Sequence, residues 1–234
     1  MTIEPGVKVI KPTEGDMFLL HGEIYAHGTT EGKIIFNGGD NSNIFYPQNS
    51  NADTFLDLEY CLIEDGKSFW PATGHQQYGH FSLRHSKLKD FTRESYIWYP
   101  EKDVYIEYNT FENARTFSIG HSGDVKVYIR YNLFNGKNPS LPSYQDFIIE
   151  NWASYSESET VVKYNSFLNI DGIILSLPSG YDDATLSASD NYWGTDDTGL
   201  IDSKIFDKND DISCAGYIDY LPILTEPHPD TPTE

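Results

Sequence analysis

Tyr108-Asn109-Thr110-Phe111, Tyr131-Asn132-Leu133-Phe134 and Tyr164-Asn165-Ser166-Phe167 are one phrase written three times. Taking the Asn as origin, weaker copies stand upstream at Tyr60-Cys61-Leu62-Ile63 and His85-Ser86-Lys87-Leu88, and downstream at Asp190-Asn191-Tyr192-Trp193. The origins, at 61, 86, 109, 132, 165 and 191, lie 25, 23, 23, 33 and 26 residues apart. Self-similarity with a period of roughly 20–50 residues marks a solenoid. Each repeat is therefore expected to form one coil.

The residues four and two places before the Tyr position are Leu56/Leu58, Phe81/Leu83, Val104/Ile106, Val127/Ile129, Thr160/Val162 and Leu186/Ala188. This period-2 alternation is the mark of strands. The expected helical spacing of apolar residues is missing. The 17 Tyr, 13 Phe and 18 Gly, with Gly-, Asn-, Ser- and Pro-containing turns between repeats, suit short strands. The reading is all-β, a parallel solenoid.

In such a stack Ile63, Leu88, Phe111, Phe134, Phe167 and Trp193 form an apolar column, each worth roughly 1.5–3 kcal/mol if fully buried. A buried amide is costly unless bonded. Asparagines at equivalent sites about 4.8 Å apart can bond one another and the turn backbone. Asn109, Asn132, Asn165 and Asn191 are thus expected to make an internal ladder, continued by the small residues Cys61 and Ser86.

The repeat resembles that of right-handed parallel β-helix proteins of the pectate lyase-like type, found in many secreted bacterial and archaeal proteins. Both ends share the likeness. Ile3-Glu4-Pro5-Gly6-Val7, Leu20-His21-Gly22-Glu23-Ile24-Tyr25-Ala26-His27-Gly28-Thr29 and Ile34-Ile35-Phe36 resemble the opening of these domains. Asn191-Tyr192-Trp193-Gly194-Thr195 and Tyr217-Ile218-Asp219-Tyr220-Leu221-Pro222-Ile223-Leu224 resemble the closing segment. The resemblance implies a single-stranded right-handed parallel β-helix over residues 1–224, with about eight coils of about 4.8 Å each and a C-terminal capping segment. Residues 225–234 read as a Pro-rich tail or linker. The same fold carries lyases, hydrolases, adhesins and noncatalytic modules, so it implies no single activity.

A formal charge of -20 opposes nucleic acid, polyanions and anionic membrane surfaces. No apolar run approaches the about 20 residues of a membrane span, and the N-terminus lacks signal-peptide character. Acidity and the resemblance together favour an extracellular or cell-surface setting. Cys61 and Cys214 fall in distant coils and are expected as buried thiols rather than a disulfide.

One outward column reads Glu59, Arg84, Glu107, Arg130, Lys163 and Ser189, and its alternating charges are expected to pair across strands. The sharper alternative makes Arg130 or Lys163 a lyase base beside Glu107, with carboxylates holding calcium. Another face is rich in aromatics. Trp98, Tyr99 and Trp152, with Trp70, Tyr96 and Phe117 nearby and His75, His80, Arg115, His121 and Glu150 around them, suit stacking on sugar rings. Trp70 precedes Pro71 at a turn, which favours packing instead. Segments 67–80 and 135–146 are expected to wall a groove there. The galacturonan-hydrolase motifs of the family are missing, so catalytic candidates reduce to Glu150, Asp146, Arg130 and His121, the paired carboxylates serving glycoside hydrolysis.

Gly74-His75, Gly79-His80 and Gly120-His121 lack zinc-ligand spacing. Asp207, Asn209 and Asp211 match the opening of a calcium loop, but Ile212 and Ile218 replace its Gly and bidentate Glu. No cofactor is expected, with calcium at this acidic turn the alternative. The expected partner is a polysaccharide or other glycan, bound by a module that is a carbohydrate binder or a structural element. The alternative is a polysaccharide lyase or glycoside hydrolase acting in a groove on the helix face.

Overall fold

A computed structural model describes residues 1–11, 15–39, 42–47, 54–71, 81–113, 117–120, 124–137, 147–153, 159–180, 184 and 186–233. The protein is all-β, with long parallel sheets. The chain visits three of them in turn. Strand Phe81–Arg84 lies in the first, Lys87–Lys89 in the second and Ser95–Trp98 in the third; the circuit repeats with Val104–Glu107, Thr110–Glu112 and Phe117–Gly120. It continues through Lys126–Arg130, Leu133–Asn135 and Ile149–Asn151, then Glu159–Lys163, Ser166–Leu168 and Leu175–Ser176. The three sheets hold nine, seven and five strands, all paired parallel among the described residues. This is the arrangement of a parallel β-solenoid.

The repeat predicts the register. Leu88 pairs with Ile63 and Phe111, and Phe134 with Phe111 and Phe167. Phe111, Phe134 and Phe167 stack at 4.7 and 5.1 Å between ring centroids. The alternating apolar residues of the first sheet, from Leu56 to Ala188, all point inward and are buried.

The Asn ladder forms as expected. Each Asn Oδ1 accepts from the backbone N–H of the preceding coil: Asn109 from Ser86, Asn132 from Asn109, Asn165 from Asn132 and Asn191 from Asn165, at 2.8–3.0 Å. Each Nδ2 donates to a strand carbonyl, such as Ile106 for Asn132 at 2.9 Å. Ser86 extends the series, its Oγ accepting from the Cys61 N–H at 2.9 Å. All four asparagines have no exposed surface, so the ladder replaces water completely at a sheet-to-sheet corner.

The Tyr position has its own geometry. Tyr60, His85, Tyr108, Tyr131, Tyr164 and Asp190 take φ between 48° and 60°. The left-handed region costs about 1–2 kcal/mol per non-glycine residue. Stacking contributes about 0.5–1.5 kcal/mol per aromatic pair, and the bend recurs at every copy, whether Asn, Ser86 or Cys61 follows. The five rings stack at 5.1, 4.9, 5.0 and 5.1 Å, nearly parallel. Their faces are spent on one another, and only their edges look outward.

Residues 225–233 fold back onto this column instead of running away from the body. The His228 imidazole lies 5.0 and 4.9 Å from the Tyr131 and Tyr164 rings. The Thr231 N–H donates to the His228 carbonyl at 2.9 Å, and the Thr231 hydroxyl donates to the Tyr164 carbonyl at 2.8 Å. Deleting residues 225–234 is expected to lower the unfolding midpoint by about 2–6 °C, the equivalent of about 1–2 kcal/mol at this size, and to speed amide exchange around Tyr164. An unchanged midpoint in a thermal melt would mean that the hook carries no stability.

A short helix, Thr198–Asp202, is capped by the Asp197 carboxylate, which accepts from the Gly199 and Leu200 N–H groups. Among the described residues no helix is long and apolar enough to cross a membrane. Cys61 and Cys214 are both free and buried, and burial pushes the Cys61 thiol up to about 12.

Candidate functional site

The third sheet positions the aromatic cluster. In strand Ser95–Trp98 the inward residues are Ser95 and Ile97, at 2 % and 0 % exposure, so Tyr96 and Trp98 face outward. Pairing sets Tyr96 beside Ser118 and Trp98 beside Gly120, and Ser118 beside Glu150. Trp152 follows strand Ile149–Asn151, its N–H bonded to the Ile119 carbonyl at 2.6 Å. Two rows therefore cross the face, Tyr96–Ser118–Glu150 and Trp98–Gly120–Trp152.

Gly120 is the reason the tryptophans meet. A Cβ there would stand 3.2–3.3 Å from the Trp98 indole, so the missing side chain lets that ring lie over the backbone. The Trp98 and Trp152 centroids are 6.2 Å apart at 48°, and Tyr99 stands edge-on to Trp98 at 6.1 Å and 87°. Tyr99 is 44 % exposed, while Trp98 and Trp152 are part-buried. The Trp98 indole N–H is shielded and makes no hydrogen bond among the described residues.

Glu150 sits in the middle of this face. Its carboxylate accepts from the Trp152 indole N–H and from the Ser118 hydroxyl. Burial raises its pKa above the usual carboxylate value, and the nearby Glu94 carboxylate pushes the same way against those two hydrogen bonds. Glu94, 4 % exposed, accepts from the Tyr96 hydroxyl at 2.6 Å. Burial and this acidic neighbour raise the Tyr96 pKa as well.

A raised carboxyl pKa has a definite sign. The folded state holds the proton more tightly than the unfolded chain, so the contribution of Glu150 to stability is full below the unfolded value and lost as pH rises through the folded one. Glu150→Gln is therefore expected to melt higher than the parent at pH 7. The gap should close as pH falls through the carboxylate range. Melting curves at pH 7 and pH 4 test this, and a variant that is less stable at pH 7 would contradict it.

The other expected site residues separate. Trp70, expected among the sugar-stacking rings, is wholly buried against Phe81 at 5.8 Å; a ring without exposed surface presents no face to a ligand. Arg130, the candidate base, instead shares Glu107 with Arg84: Arg130 bonds one oxygen, and Arg84 Nε lies 3.2 Å from the other. Burial opposes its charge, but Glu107 raises its pKa further, so it is a poor proton acceptor. The predicted pairing column thus condenses to this clamp, while Lys163 turns to Asp190 at 3.3 Å. His121 and Asp146 lie outside the described residues, as do His75, His80, Arg115 and most of the two expected wall segments.

At the acidic turn, both Asp207 oxygens accept backbone N–H groups, from Asn209 at 2.7 Å and Ile218 at 2.8 Å. Asp211 accepts from the Ser213 N–H and hydroxyl, which lowers its pKa. These carboxylates staple the turn. No group of three or more His, Cys, Asp or Glu suited to a metal occurs among the described residues.

Sequence reasoning missed Glu94 and Ser118, which only strand pairing brings beside Glu150. It also missed a groove of about 640 Å³ on the Tyr-column corner, where Tyr60, His85 and Tyr108 meet Lys87, Pro232 and Thr233. The non-periodic tail gives no signal of where it docks. Comparison with protein-family models, curated proteins and solved structures finds no match for the chain.

Proposed function

We propose that the chain is an extracellular carbohydrate-binding module built on a right-handed, pectate lyase-like parallel β-helix. Right-handed crossovers are the general rule for parallel strands joined within one sheet, and the repeat and terminal motifs are of this type. One observation carries the binding assignment: two part-exposed indoles, Trp98 and Trp152, are held 6.2 Å apart across Gly120 on an outward face that also bears Tyr99 and Glu150. Flat apolar rings bordered by hydrogen-bonding groups match the apolar face and hydroxyl rim of a sugar.

A glycan array with the purified chain tests the assignment. Trp98→Ala and Trp152→Ala are each expected to weaken binding to any hit by about tenfold or more, the scale of 1.4 kcal/mol. Retained binding in both variants would move the site elsewhere.

A second reading, a glycoside hydrolase or polysaccharide lyase acting on the same face, is favoured by the Glu150 carboxyl, which burial poises as a proton donor. Reducing-end and unsaturated-product assays on the hits, with and without calcium, distinguish the two. Turnover abolished by Glu150→Gln would replace the binding reading with the enzymatic one.

A further inference from the structure

The face around the tryptophan pair is acidic as well as aromatic, and the combination narrows the class of glycan it can take. Glu150 has only neutral hydrogen-bond partners, the Trp152 indole and the Ser118 hydroxyl, and the charge that acts on it is that of another carboxylate, Glu94. Its row and the tryptophan row, Tyr96, Ser118, Trp98, Gly120 and Trp152, contribute no cation. Arg93, the described basic residue nearest in sequence to Tyr96, is exposed and acts on the Tyr96 hydroxyl, not on Glu150; Arg115 and His121, which flank strand Phe117–Gly120, lie outside the described residues.

A carboxylate withdrawn from water is costly unless an opposite charge meets it. Nothing in the described face meets it. A positive group supplied by the ligand would, and in a shielded site such a charge-assisted bond is about twice as strong as a neutral one. Indole faces are also the best aromatic partners for a cation. A uronate brings the wrong sign, both to Glu150 and to a chain of net charge -20.

We infer that the Trp98–Trp152 face takes a glycan carrying free ammonium groups, a polymer of de-N-acetylated hexosamine, with an ammonium on the Glu150 carboxylate and sugar faces on the indoles. The inference rests on the carbohydrate-binding reading and specifies its ligand.

Titration calorimetry of the full chain in about 0.1 M salt, where the screening length is about 10 Å, tests it with four oligosaccharide probes and one peptide. These are glucosamine oligomers, their N-acetylated counterparts, a neutral β-glucan oligomer, an oligouronate and oligolysine of matching length. The glucosamine oligomer is expected to bind at least about tenfold tighter than its N-acetylated form, with the uronate weakest. Glu150→Gln, checked for folding by circular dichroism, should bring the ratio of the two close to one.

Equal affinity for the amine and N-acetylated forms overturns the inference and leaves the sugar-binding reading standing. An amine preference that survives Glu150→Gln also overturns it. Oligolysine binding as tightly as glucosamine, with no effect of Trp98→Ala, would reduce the preference to bulk charge. Failure of every oligosaccharide would remove both readings.

Discussion

Asn132→Leu should lower the unfolding midpoint by about 10 °C, from a loss of about 3–5 kcal/mol in a chain of this size. The side chain is similar in volume, so the loss is one of hydrogen bonds. Asn132 Oδ1 accepts from the Asn109 N–H at 2.9 Å and from Asn109 Nδ2 at 3.0 Å, and its own Nδ2 donates to Ile106 O and Asn165 Oδ1, both at 2.9 Å. Leucine would strand the Asn109 N–H and the Ile106 carbonyl where no water reaches, each at about 1–3 kcal/mol. The chain contains its own control. At the equivalent site, Ser86 accepts from Cys61 N at 2.9 Å and donates to Arg84 O at 2.7 Å with a shorter side chain. Asn132→Ser should therefore recover about half of the loss. A leucine variant melting within about 1 °C of the parent would show that the ladder is not what holds the corner.

Arg130→Glu should cost about 2–4 kcal/mol, since breaking a buried pair from one side leaves a charge without compensation. Glu107 has 9 % of its side chain exposed, and both its oxygens are taken by Arg84 and Arg130. The substitution would set a second carboxylate against it, with Arg84 alone between. The Arg130 guanidinium also lies 4.6 Å over the Tyr128 ring, a contact that glutamate cannot make. Because about a third of the Arg130 side chain is exposed, solvent screening holds the figure toward the lower end. Sugar binding should not change, because Arg130 is on the first sheet and the tryptophan pair on the third. Equilibrium denaturation and calorimetry on one sample measure both. Lost binding with unchanged stability would return Arg130 to the functional candidates.

The two substitutions differ in how well their settings could be read in the sequence. Asn132 was placed in a ladder from spacing alone, and the structure puts its partners in the neighbouring coils at the same offset. Arg130 was placed in an alternating column, and that column is only partly formed. Charged heads on long stems choose among several partners, so Lys163 reaches Asp190, one position off the column. Buried amides have no such choice.

The candidate site shows the same division. Trp70, Trp98 and Trp152 look alike as residues, and in the sequence only Pro71 sets Trp70 apart as a ring that packs inward. Trp70 is sealed against Phe81, while Gly120 opens space for Trp98 and aims it toward Trp152. Glu94 and Glu150 are 56 positions apart in the chain and share no repeat offset (150 minus 94). Their mutual influence follows from the stacking of strands around the third sheet.

What the sequence alone determined was the coil: its all-β parallel character, the register of stacked strands, the Asn ladder and the Phe column. In a stacked repeat each offset touches the same offset one coil away, so periodicity in the chain is already a list of contacts. Only the tertiary structure decided which aromatic rings reach solvent, which carboxylates meet beside them, and that the Pro-rich tail turns back to hook onto Tyr131 and Tyr164. Those features lie outside the repeat, where burial depends on which segment comes to lie over the coil, and a period cannot encode that.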